Sequence, residues 1–122
     1  MILRMITGRR VSKRPPRLPA GMRIYAIGDV HGRADLLERL LSRIDAHIAA
    51  HPVTRPIHVT VGDYIDRGPA SREVVELLIN AARSREMVML RGNHDEFVRE
   101  FLLNPASLRD WSKLGGFETL MS

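Results

Sequence analysis

Gly62-Asp63-Tyr64-Ile65-Asp66-Arg67-Gly68 crowds two carboxylates and a guanidinium into one sharp turn, closed by Gly68-Pro69. The apolar run before it, Ile57-His58-Val59-Thr60-Val61, predicts a buried strand that ends at Gly62. Like charges held at the carboxyl end of a strand weaken a fold unless something binds them. In open α/β sheets that edge is where ligands sit. A metal would take the carboxylates and a phosphate would take the arginine. On its own, the stretch suits a solvated polar turn equally well.

Working outward, Met22–Ile27 reads as a first strand running into Gly28-Asp29-Val30-His31-Gly32. Leu37, Leu40, Leu41, Ile44 and Ile48 then recur at three- and four-residue spacing and predict an amphipathic helix, stopped by Pro52. His47 and His51, near its end, are expected at the surface, and His58 is expected packed within the second strand. After the central turn, Ser71 is placed as the N-cap of a second helix through about Arg83, built on Val74, Val75, Leu78, Ile79 and Ala82. Met87–Leu90 is the third strand and ends at Arg91-Gly92-Asn93-His94-Asp95. A third helix carries Phe97, Val98, Phe101 and Leu102 on one face. Asn104-Pro105 opens a fourth, short helix, from which Trp111 and Leu114 are expected to pack inward; Gly115-Gly116 ends it. Strands alternating with helices through connections this long predict a parallel, right-handed βαβαβ sheet.

The 122 residues suffice for one domain or part of one. With no cysteine, thiolate metal sites and thiol catalysis are excluded. Six of the 19 basic residues (Arg4, Arg9, Arg10, Lys13, Arg14 and Arg17) lie in residues 1–21, which hold no acid. That leaves 13 basic against 14 acidic residues in 22–122, so the net charge of +5 belongs to the leader. Its prolines and lack of amphipathic period predict a disordered segment. No folded basic face with aromatics appears in 22–122, which ranks nucleic-acid binding last. No apolar run approaches the ~20 residues of a membrane span and no secretory signal is present, so a cytoplasmic location without membrane attachment is expected.

Parallel strands bring their carboxyl ends to one edge, so Asp29, His31, Asp63, Asp66, Arg67, Arg91, Asn93 and His94 are expected to converge there. Three polar groups, each following a strand and each with a glycine at its start, make coincidence a poor explanation. Carboxylate, imidazole and amide oxygen without thiolate suit manganese, iron or zinc. Two such ions about 3.5–4 Å apart can clamp the attacking and leaving oxygens of a displacement at phosphorus and hold a hydroxide between them.

The three segments Gly28–Gly32, Gly62–Gly68 and Arg91–Asp95 resemble, in order and spacing, the signature motifs of the PPP-type serine/threonine protein phosphatases of the calcineurin-like metallophosphoesterase superfamily. The resemblance runs from Met22 to about Asp95, and Trp111–Ser122 looks like the bacterial branch. It implies two divalent cations, with manganese expected ahead of iron or zinc. Asp29 and His31 would ligate the first, Asp63 would bridge both, and Asn93 would ligate the second. His94 would protonate the leaving group, Asp66 would orient His94, and Arg67 and Arg91 would hold phosphate oxygens. Family members usually have Glu where this chain has Asp95.

The substrate expected first is a phosphoserine or phosphothreonine protein. A dinucleoside polyphosphate is the alternative within the fold, since relatives that cleave those compounds share the motifs. Many of them replace the first-motif histidine and the acid at the Asp66 position, both of which this chain keeps. The family also has a second packed sheet, two further metal-ligating histidines and another phosphate-binding arginine downstream, and no histidine follows His94 here. The expectation is therefore an amino-terminal half of the domain, residues 22–122. That half supplies only Asp63 and Asn93 to the second ion and is inactive or nearly so by itself. A catalytically incomplete metal- or phosphate-binding fragment is the reading from another class.

Overall fold

The computed structural model describes residues 15–122, and most of the basic leader lies outside them. Three strands, β1 (Met22–Ile27), β2 (Arg55–Thr60) and β3 (Glu86–Met89), form one parallel sheet in the order β1-β2-β3. The first crossover contains α1 (Ala34–Ala50) and the second α2 (Ser71–Ala82). α3 (Asn93–Leu103) follows β3. A 3-10 turn (Pro105–Ser107) then leads to the single-turn α4 (Leu108–Trp111), a second 3-10 turn (Ser112–Leu114) and α5 (Gly116–Met121). No helix among the described residues is long and apolar enough to cross a membrane.

The core lies between one face of the sheet and the two crossover helices. Ile27 packs with Leu37, Leu41 and Ile44 of α1 and with Val74, Leu78 and Ala81 of α2. Burying each of the larger side chains contributes roughly 1.5–3 kcal/mol. The helical stripes are narrower than their periodicity suggests. Leu40, Val75 and Ile79 lie at the exposed margins, and Ala81 rather than Ala82 meets the core. On α3, Phe97, Val98 and Phe101 are half-buried, but Leu102 is exposed, as is Leu114 further on. Ser71 is the first residue of α2 and not its cap, which is Ala70. Gly115 does end the second 3-10 turn, in a left-handed conformation, but the chain then forms α5, which no terminating signal announces.

Alternation along the strands puts Ile24, Ala26, Val59 and Val88 on the other sheet face. Ile24 and Val88 are exposed there. His58 points to the helix side, 2% exposed and stacked on Tyr25 at 5.6 Å. Neither of its ring nitrogens has a hydrogen-bond partner.

The register pairs Ile27 with Thr60 and Thr60 with Met89, so the three strands finish level. The ladder runs one residue further, Val61 N–H donating to Ile27 O (3.0 Å) and Leu90 N–H to Thr60 O (2.9 Å). All three predicted polar loops therefore leave the sheet at one edge.

Candidate metal centre

The first and second loops are laced backbone to backbone. The N–H groups of Val30 and His31 both donate to Asp63 O (3.0 and 2.9 Å), and Gly32 N–H donates to Tyr64 O (2.9 Å). A β-carbon on Gly32 would come within 2.6 Å of Gly68 O, and Gly32 has φ +64°, so close approach and backbone sign both require glycine there. The second and third loops are tied by Asp95. Its carboxylate accepts from the N–H groups of Asp63 (2.8 Å), Tyr64 (3.0 Å) and Gly92 (2.8 Å). Asp63 answers by accepting from His94 N–H (2.9 Å), so two carboxylates serve the N-terminal turn of α3. The Tyr64 hydroxyl donates to Leu90 O and accepts from Thr60 Oγ1 (2.8 Å), and burial raises its pKa. Asp95 and Tyr64 are not among the candidates named from sequence; Asp95 binds Asp63 and Tyr64 on the second loop, and Tyr64 reaches Leu90 after β3.

Four non-glycine residues of the described chain have positive φ: His31 (44°), Asp63 (53°), Asp66 (71°) and Arg67 (68°). Each is one of the candidates named from sequence. Such conformations cost of order 1–3 kcal/mol apiece and persist where surrounding bonds hold them. Here the inter-loop bonds do so, and they turn the side chains toward one another.

Asp29, His31 and Asp63 each offer a ligand atom, all within 4.8 Å of one another. His31 Nδ1 lies 2.8 Å from Ile65 O, so Nδ1 carries the proton and donates. That leaves the Nε2 lone pair free, 3.9 Å from Asp29 Oδ2. A histidine oriented through its second nitrogen is the usual preparation of a metal ligand. Two carboxylates and one oriented imidazole therefore fit a hard or borderline divalent cation. Asn93, the first residue of α3, is exposed and precedes His94, whose N–H is bound to Asp63.

The His94 ring stands edge-on to His31, centroids 4.7 Å apart. Its Nδ1 is 2.8 Å from Asp66 Oδ2, and Asp66 is fully buried. Its Nε2 is 3.2 Å from Arg67 Nη2, which can only donate. With Arg67 donating, Nε2 accepts, and Nδ1 carries the proton that faces Asp66. Asp66 has two further partners that sequence did not reveal, Trp111 Nε1 donating to Oδ2 (2.8 Å) and Thr119 Oγ1 donating to Oδ1 (2.6 Å). Arg91 is exposed and donates to Glu96 (2.7 Å). The structure thus brings together Asp29, His31, Asp63, Asp66, Arg67 and His94, and leaves Arg91 engaged on α3.

A family model described as calcineurin-like phosphoesterase matches residues 22–121. The symmetrical bis(5'-nucleosyl)-tetraphosphatase of Delftia acidovorans is 39% identical over 74 residues, 61% of this chain and 24% of that protein. The asymmetrical bis(5'-nucleosyl)-tetraphosphatase PrpE of Oceanobacillus iheyensis is 39% identical over 77 residues, 60% of this chain and 30% of that protein. The asymmetrical enzyme PrpE of a Geobacillus is 33% identical over 86 residues, covering 67% and 35% respectively. The chain spans about a quarter to a third of the length of these curated relatives. All three relatives are named as dinucleoside tetraphosphatases, and none as a protein phosphatase. A family match over nearly all the described residues, on a parallel sheet whose carboxyl edge gathers two aspartates and an oriented histidine, shows that the chain belongs to the calcineurin-like phosphoesterase family.

Proposed function

We propose that the protein carrying this chain hydrolyses a dinucleoside polyphosphate with the help of divalent metal ions. The observation that supports it is the Asp29–His31–Asp63 cluster beside the His94–Asp66 pair, read with the names of the relatives. Asp29, His31 and Asp63 would hold metal, with Asn93 added for a second ion, and manganese fits this donor set ahead of iron or zinc. Bound cations would polarise the phosphoryl group and make water nucleophilic at neutral pH. Arg67, exposed and 3.2 Å from His94 Nε2, would bind phosphoryl oxygens as a bidentate donor, and Arg91 would do so on leaving Glu96. His94, held by Asp66 through Nδ1, would deliver a proton to the departing oxygen from Nε2 once that nitrogen is protonated as well.

One observation favours a second reading, a phosphoserine or phosphothreonine protein. A phosphate leaving group departs without much proton transfer, whereas an alkoxide needs a proton. The buried His94–Asp66 pair would be worth most in the latter case. Hydrolysis by the natural gene product with added manganese separates the two. Diadenosine tetraphosphate should be cleaved with a kcat/KM at least tenfold above that for a phosphoserine peptide. The reverse preference would establish the second reading, and cleavage of neither by metal-loaded protein would overturn both. Products of ADP alone mark symmetrical cleavage; ATP with AMP marks asymmetrical cleavage.

A further inference from the structure

We infer that Trp111 and Thr119 are positioning residues that fix the tautomer and orientation of His94 by clamping both oxygens of Asp66. The inference rests on the reading of His94 as the proton donor, but its geometry stands separately. Asp66 and Trp111 are both fully buried, 45 residues apart in sequence. An indole N–H can only donate, so its 2.8 Å contact assigns one lone pair of Oδ2 to Trp111. The other faces His94 Nδ1.

Thr119 settles the second oxygen. Its single proton goes to Oδ1 at 2.6 Å, while its oxygen accepts from Asp66 N–H at 2.9 Å. With that proton committed, Ser71 Oγ, 3.1 Å away, must donate to Thr119 and in turn accepts from Asp66 N–H at 3.2 Å. Side chain and backbone of Asp66 are thus bound at three places by the segment after α3 and the start of α2. The same segment braces the next residue, Arg67 N–H donating to Gly115 O at 3.2 Å. Asp66 and Arg67 are the two consecutive non-glycine residues with positive φ among the described residues, so the brace acts where side chains make the backbone conformation costly. Gly116 lets the segment close, since a β-carbon there would meet the Trp111 indole at 2.5 Å.

A carboxylate bonded at one oxygen only can turn and present either lone pair to His94. Bonded at both, it offers one. The oxygen that faces Nδ1 can only accept, so Nδ1 carries a proton, and Nε2 is turned to Arg67 Nη2 at 3.2 Å.

The test is long-range proton–nitrogen NMR on the His94 ring of the 122-residue chain, which reads the tautomer without metal or turnover. Wild type should show a single Nδ1–H tautomer. Thr119→Val, which keeps shape and removes the hydroxyl, should give a tautomer mixture, as should Trp111→Phe. Thr119→Ser should restore the wild-type spectrum. A pure Nδ1–H tautomer in folded Thr119→Val and Trp111→Phe would overturn the inference. If neither variant folds, solvent exchange in wild type decides. Slow exchange of the Trp111 indole and His94 Nδ1 protons supports the clamp, and rapid exchange of both removes it. A tautomer change with unaltered turnover in the natural protein would instead count against His94 as proton donor and leave the clamp intact.

Discussion

At the carboxyl ends of the three strands, side chains of one loop bind the backbone of another. Asp95 takes three N–H groups, Asp63 takes the N–H of His94, and Asp66 is held by Trp111 and Thr119. Towards the amino ends the ties are ion pairs, Arg55 with Glu86 across β2 and β3, and Arg85, just before β3, with Asp45 of α1. Nearby, buried His58 has no hydrogen-bond partner at all. The first edge uses charge to hold strained backbone in place; the second leaves charge in water and a polar ring unsatisfied. The difference teaches where geometry is over-determined. Bonds that cross between loops and fix positive φ belong to the edge that carries the chemistry.

The largest effect should come from Asp66→Asn. It preserves shape but replaces an oxygen acceptor with an amide, and turnover of an alkyl phosphate by the natural protein should fall by about 10²–10⁴-fold. The loss should be smaller on p-nitrophenyl phosphate, whose leaving group departs without a proton. Equal losses on both substrates would take His94 and Asp66 out of proton transfer and blur the contrast between the edges.

Gly32→Ala should come next. A left-handed conformation for alanine together with the clash on Gly68 should cost about 3 kcal/mol in chemical denaturation. A loss under half that figure would mean that the loops are free to part.

His58→Phe should carry the opposite sign. It retains a ring against Tyr25 and removes two unpaired nitrogens, so stability should rise by about 1 kcal/mol. A comparable loss would show that the amino end also contains a built polar site.

The smallest effect belongs to the Arg55–Glu86 pair. The guanidinium holds the Glu86 carboxyl below its usual range. Any stability from the pair is therefore present above the ordinary carboxylate pKa and lost as pH falls through the lowered one. Both groups are exposed and screened, so Glu86→Gln should leave the thermal midpoint unchanged at physiological salt. A clear drop that grows as pH rises from 3 to 6 would show that surface pairs matter here as well.

Much of this contrast was legible in the sequence because it is local. Three strands, each closing on a glycine-flanked polar group, predict a level parallel edge, and the register of Ile27, Thr60 and Met89 delivers it. The residues missed act across the chain. Asp95 stands in the sequence only as a departure from the family's Glu, and its partners Asp63 and Tyr64 lie on the second loop. Trp111 reads as core, and it is buried, yet its indole N–H reaches Asp66. Thr119 lies in a six-residue helix with no sequence signal for its start. Ser71 looks like a helix cap, but its hydroxyl serves Asp66 and Thr119 instead. Periodicity also finds the direction of a helical stripe better than its width, which is why Leu40, Val75 and Ile79 were placed inside and lie at the margin.

Isothermal titration of manganese into the 122-residue chain tests the metal centre most directly. The wild type should bind, Asp63→Asn should bind at least about tenfold more weakly, and His47→Ala, whose ring lies on the surface against Tyr25, should bind as the wild type does. Equal manganese affinity in wild type and Asp63→Asn would contradict the assignment of Asp29, His31 and Asp63 as one metal site.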